Sequence, residues 1–133
     1  MLKGIDHVAI AVHSLDDTVP LWSDRFGFEL SGYETVEDQK VRVAILTCGP
    51  YRIELMEPTS EDSPISAFLQ KRGPGLHHVC LDVDGIEAML GDLDEAGIKL
   101  INRTPVPGAH GRKVAFVHPK GAGGVLTELS EPS

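Results

Sequence analysis

Residues Ile5-Asp-His-Val-Ala-Ile-Ala-Val12 and Leu76-His-His-Val-Cys-Leu-Asp-Val83 are two versions of one strand-like stretch, and their repetition decides the fold. Each is rich in Val, Ile or Leu. Each leads into a helical stretch with acids in its first turn, beginning near Ser14-Leu-Asp-Asp17 and near Asp84-Gly-Ile-Glu87, with Ser14 and Asp84 as the expected N-caps. Both helical stretches stop at a glycine followed by an apolar residue, Gly27-Phe28 and Gly97-Ile98, the usual way a helix ends and a strand begins. Pro20 lies inside the first helical stretch and, lacking an N–H, predicts a kink or a shortened helix there. Further on, each half carries two more strand-like segments, 41–47 and 51–56 in the first and 114–117 and 125–129 in the second. The final segments spell nearly the same word twice, Glu54-Leu-Met-Glu-Pro58 and Glu128-Leu-Ser-Glu-Pro132.

Self-similarity of this kind predicts an α+β protein in which two tandem βαβββ modules form one curved mixed sheet. A chain of 133 residues suits a single domain, 1–133. Module 1 spans about 4–58, a linker helix about 63–73 and module 2 about 75–132, the linker carrying a Ser63 cap and Pro64 in its first turn. Lys and Arg number 12 against 20 Asp and Glu, a net charge of −8, which excludes nucleic acid or an anionic membrane as the main partner. No apolar run approaches the roughly 20 residues of a membrane span. Cys48 and Cys80 are too few for a disulfide framework and suit a reducing compartment. The chain opens on a strand and not on a leader segment, so a soluble cytoplasmic protein is expected.

Side chains alternate across a strand, so His7, Ala9 and Ala11 share one face and Val8, Ile10 and Val12 the other. In the matching strand, His78 and Cys80 share a face opposite His77, Val79, Leu81 and Val83. The bulky aliphatic side is where helices should pack, and the Ala, Cys and His side has room for something else. By the repeat His78 corresponds to His7, and Glu54 corresponds to Glu128. A single strand histidine is ordinarily a hydrogen-bonded core residue and a single strand glutamate a solvated charge. Matched His and Glu positions in matched halves point instead to a site for a divalent metal ion held by His7, Glu54, His78 and Glu128. Zn²⁺, Co²⁺, Ni²⁺, Mn²⁺ and Fe²⁺ all accept two imidazoles and two carboxylates. His13 reads as a loop residue, His77 as core or as a neighbour of the ligands, and Cys80 as a small filler.

With Asp62-Ser-Pro-Ile65, Gly75-Leu-His-His-Val79, Lys113-Val-Ala-Phe-Val-His-Pro-Lys120 and Gly123-Gly-Val-Leu-Thr-Glu-Leu129, these stretches resemble the methylmalonyl-CoA epimerases of the vicinal oxygen chelate (glyoxalase-like) superfamily. The resemblance runs from residue 4 to nearly the end of the chain. It implies one divalent ion per chain (Co²⁺, Zn²⁺, Mn²⁺ or Ni²⁺) on His7, Glu54, His78 and Glu128. The activity it implies is exchange of the C2 proton of methylmalonyl-CoA through a metal-stabilised enolate, a step of propionate metabolism, with Glu128 and Glu54 as the acid–base groups. Arg112, Lys113 and Lys120 would meet the CoA phosphates of this acyl-CoA substrate, or His118 and Lys120 its carboxylate. A homodimer is implied as well. The chain departs from some members at Val43, where they carry a second Glu. Other activities on this fold are a glyoxalase I-like lyase with the same ligand types, an extradiol dioxygenase, and a non-catalytic small-molecule-binding protein.

Overall fold

Period-two alternation and the helix caps produce the elements in the order expected. The computed structural model describes residues 1–133. The first half contains β1 (Leu2–Ala11), α1 (Leu15–Pro20), β2 (Glu29–Val36), β3 (Val41–Cys48) and β4 (Tyr51–Pro58). After α2 (Pro64–Arg72), the second half repeats the pattern as β5 (Gly75–Val83), α3 (Ile86–Glu95), β6 (Val106–Pro107), β7 (Arg112–Val117) and β8 (Leu126–Pro132). The α+β class and the tandem βαβββ order are therefore present, in one eight-stranded sheet of order β2-β3-β4-β1-β5-β8-β7-β6. The sheet is mixed: β1 pairs with β4 and β5 with β8 in parallel, and the remaining pairs are antiparallel. β6 keeps only two residues at the sheet edge, where Pro107 has no N–H to lend to a longer ladder. No helix is long and apolar enough to cross a membrane.

The chain divides into two compact units, residues 7–77 and residues 78–133 together with 1–6. In the 7–77 unit, α1 covers one face of the sheet through Leu15 and Val19, which pack on Val12, Ala44, Leu46 and Leu55. Each fully buried leucine there contributes about 2 kcal/mol of transfer free energy. Pro20 does not break the chain's helical course. The α-helix ends at Pro20 and continues as a wider π turn over Leu21–Arg25, where Phe26 N–H reaches the Leu21 carbonyl at 3.0 Å. The other face of this sheet is covered at one end by α2, whose Ile65 and Leu69 pack on Ala11, Val41 and Val43. In the 78–133 unit, α3 places Ile86 and Leu90 against Val83, Ala115, Val117 and Leu129.

The repeated Glu-Leu-x-Glu-Pro word has a structural half. Its second glutamate lies on the helix-covered face of its strand and caps the helix of its own unit. Glu57 Oε1 accepts from Leu15 N at 3.0 Å, adding to the Ser14 cap of α1. Glu131 accepts from Gly85 N at 2.6 Å and Ile86 N at 3.3 Å at the start of α3. The expected Asp84 cap of α3 is thus corrected: Gly85, with φ of 81°, is the capping residue and makes no side-chain bond, so a carboxylate from β8 supplies the acceptor. A negative charge there also meets the positive end of the helix dipole.

Those two backbone N–H bonds, followed by the Lys113 ammonium, hold the Glu131 carboxyl below its ordinary value. A depressed folded value means stability present above the unfolded value and lost as pH falls through the folded one. Asp62, held at about 2 by Lys40 and Ser60, acts in the same direction. Glu131→Gln should therefore flatten the loss of stability between about pH 6 and pH 3, read as urea midpoints at each pH. Parallel curves for the two proteins would remove Glu131 from this role.

Candidate active site

In the 7–77 unit the face opposite α1 carries His7, Ala9 and Ala11 on β1, Arg52, Glu54 and Met56 on β4, and Val43 and Ile45 on β3. The register sets Glu54 between Ala9 and Ile45, and Met56 between Ala11 and Val43. Because α2 covers only the Ala11–Met56–Val43 end, the His7–Arg52–Glu54 end has no helix over it within this unit. His7 is 8% exposed, and its Nδ1 lies 3.7 Å from Glu54 Oε2. The Arg52 guanidinium stands beside both, with Nη2 at 3.2 Å from Glu54 Oε2 and 3.2 Å from His7 Nδ1. Val43, the position where some relatives carry Glu, is buried core beneath α2.

In the 78–133 unit the corresponding face carries His78 and Cys80 on β5, Glu128 on β8 and Phe116 on β7. Glu128 sits between Cys80 and Phe116 in the register. His78 is 7% exposed, its Nε2 is 3.2 Å from Glu128 Oε1, and its ring meets Phe116 edge to face at 6.1 Å. Both units thus set a buried imidazole against the first glutamate of the repeated word. His77 points the other way and stacks edge-on against Phe68 of α2, with ring centroids 4.9 Å apart. Cys80 is buried on the same face as His78.

The four expected substrate-binding residues separate. Arg112 lies on the His78–Glu128 face, where Nη2 donates to Asp82 Oδ1 at 2.7 Å and Nε to Ser130 Oγ at 2.6 Å. Lys113, one residue on, lies on the α3 side of β7 and pairs with Glu87 at 2.9 Å and Glu131 at 3.6 Å, so it is not brought to that face. His118 and Lys120 belong to the short turn after β7, where Lys120 N donates to His118 Nδ1 at 3.0 Å. Burial, then Lys99 and Lys120, lower the proton affinity of His118. Arg52 was not among the expected residues. Its signal was its place two residues before Glu54, on the same face of β4.

A family model of the Glyoxalase/Bleomycin resistance protein/Dioxygenase superfamily matches residues 6–116, and the chain belongs to that superfamily. An uncharacterized protein of Bacillus subtilis, YqjC, is 41% identical over 98% of this chain and 94% of its own length. The ethylmalonyl-CoA/methylmalonyl-CoA epimerase of Cereibacter sphaeroides is 38% identical over 98% of this chain and 99% of its own. Among solved structures, a substituted methylmalonyl-CoA epimerase of Streptomyces coelicolor in complex with 2-nitronate-propionyl-CoA superposes with a TM-score of 0.89 at 37% identity, covering 100% of this chain and 96% of that one. Within the superfamily, the chain belongs to the methylmalonyl-CoA epimerases, a family of enzymes.

Proposed function

We propose that this protein interconverts the two C2 epimers of methylmalonyl-CoA, with His7, Glu54, His78 and Glu128 as the ligands of one divalent ion per chain. The observation that carries this is the pairing, in each unit, of a buried histidine with the first glutamate of the repeated word. Neutral imidazole with carboxylate is a donor set that suits Co²⁺, Zn²⁺, Mn²⁺ or Ni²⁺. When bound, such an ion supplies Lewis-acid polarisation of the thioester carbonyl.

The rest of the chemistry belongs to the side chains. The C2 hydrogen lies between a thioester and a carboxylate, and Glu128 takes it as a proton. The C–H electron pair passes into the C2–C1 bond, and the carbonyl oxygen carries the resulting enolate charge. Glu54, having taken a proton from water, then delivers it to the opposite face of C2, inverting it, and loss of the Glu128 proton to water completes the cycle. Val43, sealed beneath α2, has no part in proton transfer. Arg112 and Lys120 are the cations proposed to receive the charged parts of the acyl-CoA, with His118 as a hydrogen-bonding imidazole beside Lys120. The family resemblance further supports a homodimer, and a chain with only two cysteines suits the cytoplasm.

The test is to offer two sulfur-linked substrates, a thioester and a hemithioacetal, to the Co²⁺-loaded protein. Methylmalonyl-CoA should be epimerised and the glutathione–methylglyoxal adduct left unchanged. Turnover of the adduct alone would make the protein a glyoxalase I-like lyase. Turnover of neither, with no ion bound, would make it a binding protein.

A further inference from the structure

We infer that Arg52 is a specificity-determining residue: its guanidinium stands on the His7–Glu54 pair until a divalent ion takes that pair, and then receives the carboxylate of the substrate. The second half of this inference rests on the epimerase reading; the first half does not.

The geometry is that of one donor serving two acceptors. Arg52 Nη2 lies 3.2 Å from Glu54 Oε2 and 3.2 Å from His7 Nδ1. An N–H directed at Nδ1 uses the lone pair of that nitrogen, and a nitrogen so engaged cannot give the same lone pair to an ion. The guanidinium is thus an internal cation on two expected metal ligands, and an arriving ion competes with it. The contact follows from the chain path. Arg52 and Glu54 are two residues apart on β4 and share a face, and the β1–β4 register brings Arg52 alongside His7. Arg52 keeps 31% of its side chain exposed, so its long stem has room to swing without opening the core.

Arginine stays charged at any pH the protein survives. Once His7 and Glu54 turn to an ion, two cations stand within a few ångströms, and together they favour an anionic ligand and the enolate dianion that forms from it. The C2 carboxylate of a malonyl-type thioester is an anion directly attached to the reacting carbon, and its two oxygens match the guanidinium fork. A simple acyl thioester or a glutathione hemithioacetal presents no carboxylate on that carbon. Arg52 would therefore select 2-carboxyacyl thioesters. The second half of the chain offers no equivalent, because the residue two before Glu128 is Leu126.

Two variants of the full chain, Arg52→Leu and Arg52→Lys, test this with two readouts. Titration of Co²⁺ alone into the metal-free proteins by calorimetry should show binding about tenfold tighter in Arg52→Leu, because the competitor and its repulsion are gone. With methylmalonyl-CoA, Arg52→Leu should raise KM by about ten- to a hundredfold with a smaller change in kcat, and Arg52→Lys should recover part of the loss. Weaker or unchanged Co²⁺ binding in Arg52→Leu overturns the competition, since Arg52 would then support the ligands or ignore them. Tighter binding with an unchanged KM overturns the carboxylate role. If the wild type lacks epimerase activity, the functional reading fails while the Co²⁺ titration still judges Arg52.

Discussion

Glu128→Gln should lower epimerisation by about a hundred- to ten-thousand-fold, the range contributed by a general acid–base group, while the proposed divalent ion stays bound. Glutamine has the same shape and keeps an oxygen to offer, so it fits between Cys80 and Phe116 in the β5–β8–β7 register without disturbing the sheet. What it loses is the capacity to take a proton. His78, whose Nε2 lies 3.2 Å from Glu128 Oε1, keeps its place. Steady-state kinetics and metal analysis on the same preparation check both halves of the expectation. Near-normal turnover with the ion retained would make Glu128 a ligand only and send the search for the base elsewhere on that face.

His78→Ala should abolish binding of the proposed ion, and His77→Ala should leave about one ion per chain. The two histidines are adjacent, so a change of this size between them is a direct consequence of strand alternation. His78 is buried on the Glu128 face, whereas His77 packs its ring on Phe68 of α2. Losing that ring contact costs His77→Ala about 0.5–1.5 kcal/mol of stability and nothing at the site. Elemental analysis after dialysis against excess Co²⁺ measures the stoichiometry. The reverse pattern would mean that β5 presents the opposite parity.

Whatever depends on local period or on the repeat was legible in the sequence. The alternation in Ile5–Val12 and Leu76–Val83 was enough to separate His78 from His77 and to put Val12, Val83 and their neighbours under the helices. The repeated word located Glu54 and Glu128, each of which meets the histidine of its own unit. Features that break the repeat or join distant residues were hidden. The α3 cap comes from Glu131, 46 residues beyond Gly85, and no local pattern announces it. Arg52 has no counterpart in the second half, so reasoning from matched positions passed over it. The burial of Val43 depends on α2, an element outside both modules, which covers one end of a face otherwise left to small side chains. Lys113 parts from Arg112 for a simpler reason. Arg112 and Lys113 are consecutive in a strand and point to opposite faces, so alternation alone separates them.

The central claim is proton exchange at a single carbon, and mass spectrometry reads it directly. One epimer of methylmalonyl-CoA is incubated in deuterated water with the Co²⁺-loaded protein. One deuterium should enter at C2 as the second epimer appears, and Glu128→Gln should suppress both together. Retention of hydrogen at C2, with no second epimer formed by a protein that has bound its ion, would contradict the account.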